Sequence, residues 1–168
     1  MHSFVEYFQR IKSAYEAGTR RDKSLICKAR FHTQYPVLKL QKASWTNDDM
    51  QTVPNQTGIF FSVWLDEKSA RKNRALYNIH ALKLRQLNGY KLTSIAFASE
   101  FRKRLKSVQK DWPNVSVDYG PQTLMQGWIS IDPGSFEMDV LALMKRFTEV
   151  GPIIDELLAE HRDRIARS

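Results

Sequence analysis

Cysteine is almost absent from this 168-residue chain. Cys27 stands alone, so no disulfide can close within one chain and no cysteine-based metal cluster can be drawn from it. A buried, inert thiol in a reducing compartment is the expectation. Long apolar runs are absent too. The longest, 59–65, is interrupted by Ser62 and stops far short of the ~20 residues of a membrane helix. The first residues, MHSFVEYFQRIKSAYEAG, mix Glu6 and Arg10 into the apolar positions and lack a signal-peptide core, which predicts a folded N-terminus and a cytoplasmic location. No G-x-S-x-G, P-loop or G-x-G-x-x-G occurs. His2, His32, His80 and His161 show no two-ligand spacing. No metal and no cofactor are therefore expected, and histidines such as His80 and His161 are read as packed side chains.

One further absence is local. Residues 111–144 contain no Lys or Arg, although the chain as a whole carries a formal charge of +8. The cations concentrate instead in 68–110, where twelve Lys and Arg face a single acid, Glu100. That third is +11 and the remainder −3. A solvated helix surface ordinarily interleaves both signs, so such one-sidedness points to a polyanionic or acidic partner.

What is present has the length and composition of one globular domain, 1–168. Phe4, Phe8, Ile11 and Tyr15 form a helical stripe that Gly18 ends. Residues 26–42 read as extended and broken at Pro36, either an edge strand or two short strands. The segment 45–57, rich in Asn, Asp, Thr and Pro, reads as a loop. The run 59–65 is apolar in both phases and predicts a central strand. A helix over 67–87 follows, capped by Asp66 and stopped near Asn88-Gly89. Phe97, Phe101, Leu105, Val108 and Trp112 predict another over 95–112. Val115–Tyr119 and 124–131 read as a hairpin around Gly120-Pro121. Two closing helices are expected, one over 136–147 and one after Gly151-Pro152.

The expected class is α+β, a mainly antiparallel sheet covered by about five helices in the order α, strands, α, α, hairpin, α, α. A strand-strand-helix-helix duplication, 37–112 against 115–165, is a weak idea resting on that order alone.

The functional expectation is a non-catalytic binding module contacting nucleic-acid backbone through a basic helical face. Arg71, Arg74, Arg85, Arg102, Lys103, Lys106 and Lys110 would supply the phosphate contacts. Two alternatives stand beside it. An acidic protein surface could dock on the same cations. The order Asp48-Asp49, apolar strand, Asp66-Glu67-Lys68 resembles the metal-dependent nuclease arrangement of the PD-(D/E)xK type, without its proline-aspartate element. That resemblance would make Asp49 and Asp66 ligands of Mg²⁺ and Lys68 an aid to the attacking water. Helix capping by Asp66 accounts for the same residues without catalysis.

Overall fold

The computed structural model describes residues 3–18, 21–30, 35–47 and 57–163. Helix α1 (Phe4–Ala17) opens the chain and is capped by Ser3, whose Oγ accepts from the Glu6 amide at 3.3 Å. Strands β1 (Ile26–Arg30) and β2 (Val37–Gln41) lie either side of Pro36, so the expected break separates two paired strands. Then come β3 (Gly58–Trp64), the short helix α2 (Glu67–Arg71) and β4 (Arg74–Leu82). Helix α3 (Ser94–Leu105), β5 (Thr123–Ser130) and the long helix α4 (Phe136–Glu160) complete the order. The strands form one sheet in chain order, β1-β2-β3-β4-β5, and every neighbouring pair is antiparallel. The class is α+β, with four α-helices where about five were expected. Strand β3 is the middle strand of the five, as its two-sided apolar pattern requires.

The helices collect on one face of that sheet. Phe61 stacks on Phe147 of α4 with centroids 4.5 Å apart and planes 9° from parallel, and Trp45 meets Phe61 edge-on at 5.5 Å. Phe8 of α1 packs on Phe136 of α4, while Tyr77 and Trp112 close around Phe147. Phe61, Val63, Phe97, Phe101, Leu105, Ile129, Ile131 and Leu157 are all buried. Gly127 is required by this packing. Tyr77 lies across it so closely that a Cβ there would sit 2.3 Å from the tyrosine oxygen, and that hydroxyl donates to the Pro113 carbonyl at 2.6 Å.

Four expected elements are corrected. The helix over 67–87 is a single turn followed by β4. Asn73 adopts φ 57°, a left-handed conformation that ends α2, and from Arg74 the alternation Ala75, Tyr77, Ile79, Ala81 faces the helices. Apolar Leu76 and Leu82 on the other phase let the same residues fit a helical stripe. The helix over 95–112 stops at Leu105, after which a 3-10 turn, Gln109–Asp111, delivers Trp112 to the core and leaves Val108 exposed. The hairpin arm 115–119 joins β5 only through a bridge between Ser116 and Gln126. Finally, Gly151-Pro152 does not separate two helices, because α4 runs through it. Both halves of α4 are anchored: Phe147 and Val150 precede the proline, Ile154 and Leu157 follow it, and Asp155 accepts hydrogen bonds from Trp45 Nε1 and Lys42 Nζ.

Cys27 is buried beneath α1 and its thiol is pushed up to about 12 by that burial. It is an inert core group. No helix among the described residues is long and apolar enough to cross a membrane.

Candidate nucleic-acid interface

With α1, α3 and α4 on one face, the alternate residues of each strand point to the other, which no helix covers among the described residues. The register aligns them in cross-strand rows. One row runs Arg30, Val37, Trp64, Leu76, Trp128. The next runs Lys28, Lys39, Ser62, Asn78, Gln126. A third, shorter row is Phe60, His80, Thr123, and Arg74 opposite Ser130 lies beyond the first. Four cations and three large aromatic rings thus share a surface whose rows contain neither Asp nor Glu.

Two of the cations sit on rings. The Arg74 guanidinium lies 3.7 Å from the centroid of Trp128, and Lys39 Nζ lies 4.1 Å from that of Phe60. Phe60 also meets His80 at 5.2 Å. Lys28 and Arg30 make no ion pair among the described residues. The floor between the aromatic rows is a hydrogen-bonded chain. Ser62 Oγ donates to Asn78 Oδ1 at 2.5 Å, and Asn78 Nδ2 lies 2.6 Å from His80 Nε2. His80 Nδ1 lies 3.3 Å from the Gln122 carbonyl, an arrangement satisfied by the neutral ring protonated at Nδ1. Burial lowers the His80 pKa, the Lys39 charge lowers it further, and the bond to the Gln122 carbonyl opposes both. Ser62 and Asn78 are buried, so this hydrogen-bonded chain stiffens the surface from below.

The seven cations singled out from sequence do not share one helical face. Arg74 lies on the open sheet face, whereas Arg85 follows the far end of the same strand in the 3-10 turn Leu84–Gln86. Arg71 is paired with Glu67 on α2. Arg102 is committed to the fold: its guanidinium donates to the carbonyls of Tyr119, Gly120, Thr123 and Leu124 at 2.9–3.1 Å, pinning the loop that precedes β5. Lys103 pairs with Glu100 at 3.1 Å. With Lys106 it lines a shallow groove against Ile95 and Tyr119. Lys110 lines a cleft with Arg146 and with the acids Asp111, Asp132 and Asp139, so its charge is met there by counter-charges.

The residues of the nuclease alternative are placed as follows. Asp66 is the N-cap of α2: its Oδ1 accepts from the Ser69 amide at 2.7 Å, and Ser69 Oγ accepts from the Asp66 amide at 2.9 Å. Lys68 is exposed on that turn, and Asp49 lies outside the described residues. Among the described residues no group of three or more His, Cys, Asp or Glu is arranged to hold a metal ion.

Sequence reasoning missed Lys28, Arg30, Lys39, Phe60, Trp64 and Trp128. The signal that could have found them is the second phase of the strands, where aromatic and cationic residues recur without acids. Comparison with protein-family models, with curated proteins and with solved structures finds no match for this chain. What stands is the architecture, an antiparallel sheet with helices on one face and, among the described residues, no helix and no acid in the strand rows of the other.

Proposed function

We propose that the protein is a non-catalytic nucleic-acid-binding module whose binding surface is the open face of the sheet. The observation that carries this reading is that the described strand rows bearing Lys28, Arg30 and Arg74 contain no Asp or Glu, in a chain with 18 acidic residues. Lys28, Arg30 and Arg74 make no ion pair among the described residues, and a row of phosphates would supply their counter-charge while releasing its own counterions. Arg74 and Lys39 rest on aromatic rings, which hold them near the surface at little cost in mobility.

The test is a salt titration of binding to mixed-sequence DNA and RNA. The expected log–log slope for wild type falls by about one for each contacting cation removed. Lys28→Ala/Arg30→Ala/Arg74→Ala is expected to flatten it by about three and to weaken binding at low salt. Lys103→Ala/Lys106→Ala/Lys110→Ala, on the helical layer, is expected to change it by at most about one. Equal loss in both variants would move the site to the helices, and absence of binding at low salt would leave an acidic protein as the partner.

A further inference from the structure

We infer that the open face takes unpaired nucleotides and stacks their bases on Trp64 and Trp128, discriminating against duplex. This rests on the nucleic-acid reading of the same face and adds the class of strand. Shape is the first ground. A major groove about 12 Å wide admits a helix or a two-stranded ribbon. Five strands spaced by about 4.8 Å present a surface roughly 19 Å across, too broad to enter it. A duplex could touch this face only through phosphates, leaving the aromatic rings idle.

Ring placement is the second ground. Trp64 and Trp128 flank Leu76 in one row, two strands apart, which separates them by roughly 10 Å. The Trp64 ring has no ring or cation contact among the described residues, and neither indole N–H donates to a described acceptor. Each N–H is thus available to a base carbonyl or a phosphate oxygen. On Trp128 the stacked Arg74 guanidinium offers a second planar surface for a base, with its charge beside the sugar-phosphate chain. Unpaired bases expose π-faces irrespective of sequence, so binding is sequence-tolerant and favours single strands.

The chain supplies its own probe. Trp45 and Trp112 are 0% and 4% exposed on the helix side, so Trp64 and Trp128 are the two of its four tryptophans that a ligand on the open face reaches. The full-length protein is titrated at low salt with oligo(dT) and oligo(U) and with a perfectly paired hairpin of equal phosphate number, following both affinity and tryptophan fluorescence. Single strands are expected to bind at least about tenfold more tightly than the hairpin and to quench the emission. Trp64→Leu/Trp128→Leu is expected to abolish that preference while leaving hairpin binding within about twofold, and Trp64→Phe/Trp128→Phe, which keeps the rings, to retain most of it. Thermal melts of both variants identify loss of fold, in which case the phenylalanine variant carries the test. Equal affinity for single strand and hairpin with unquenched emission overturns this inference and leaves the nucleic-acid reading standing. Absence of binding to either overturns both.

Discussion

Phe60 and Phe61 are neighbours with the same side chain, and they serve opposite faces of one strand. Phe61 is fully buried, stacked on Phe147 and touched by Trp45; Phe60 is half-buried, with Lys39 over its ring and His80 at its edge. The same division runs through the charges. In the helical layer cations meet acids: Arg10 with Glu137 at 2.6 Å, Arg104 with Glu160 at 2.8 Å, and Lys42, at the end of β2, with Asp155 at 2.6 Å and Asp22 at 3.3 Å. On the open face Arg74 and Lys39 lie over rings, and no ion pair is made by Lys28, Arg30 or Arg74 among the described residues. One face is closed by its own helices, and the other carries charge and π-surface that no helix covers among the described residues.

The largest expected effect breaks or keeps that contrast directly. Phe61→Ala removes a stacked ring from a dense core and should cost about 3–5 kcal/mol in chemical denaturation. Phe60→Ala, one residue away, should cost less, about 1–2 kcal/mol, since its ring is only partly buried. Comparable losses from the two would mean that the outer face is itself structural.

A smaller effect separates fold from binding among the cations. Arg102→Ala abandons hydrogen bonds to two loop carbonyls and two at the start of β5 and should destabilise the protein by about 1.5–3 kcal/mol. Lys103→Ala, next in sequence, loses one exposed ion pair and should change stability by less than about 1 kcal/mol. Urea midpoints at constant m-value decide it. If Arg102→Ala proves as stable as wild type, its guanidinium is spare and returns to the list of phosphate contacts.

Much of the fold was legible because burial imposes a period. The stripe Phe97, Phe101, Leu105 and the two-sided run at 59–65 led to α3 and to the central strand. The segment 74–82 was not legible, since Tyr77, Ala81 and Leu84 satisfy a helical period while Ala75, Tyr77, Ile79 and Ala81 satisfy that of a strand. Asn73 at positive φ settles the choice, and its conformation is not visible in the letters. The candidate site was lost by the same error. Read as a helix, 67–87 drew Arg71, Arg74 and Arg85 onto one stripe, although β4 carries Arg74 to the start of a strand and Arg85 beyond its end. Lys28, Arg30 and Lys39 escaped notice because they lie outside the cation-rich third, and only strand pairing brings them beside Arg74. Linear charge density and surface charge density differ wherever a sheet joins distant segments.

The smallest effect concerns His80, where the two faces meet water on different terms. Its pKa is lowered, first by burial, then by Lys39 from β2, against the hydrogen bond to the Gln122 carbonyl; the other groups around it, Asn78, Thr123 and Phe60, carry no charge. A lowered histidine pKa means that the unfolded chain takes up the proton first. The associated stability is complete above the ordinary value near 6.5 and is lost as pH falls from there through the folded value. Protonation also puts a hydrogen on Nε2 where Asn78 Nδ2 already donates, so the Asn78 amide must turn over and the bond from Ser62 must reverse. Wild type should therefore lose stability between pH 7.5 and pH 5.5 relative to His80→Gln, whose side chain does not titrate. The measurement is the urea midpoint of both proteins at the two pH values. A constant difference between them would show that His80 keeps its ordinary affinity for the proton, and hence that the open face is as well hydrated at its floor as at its rim.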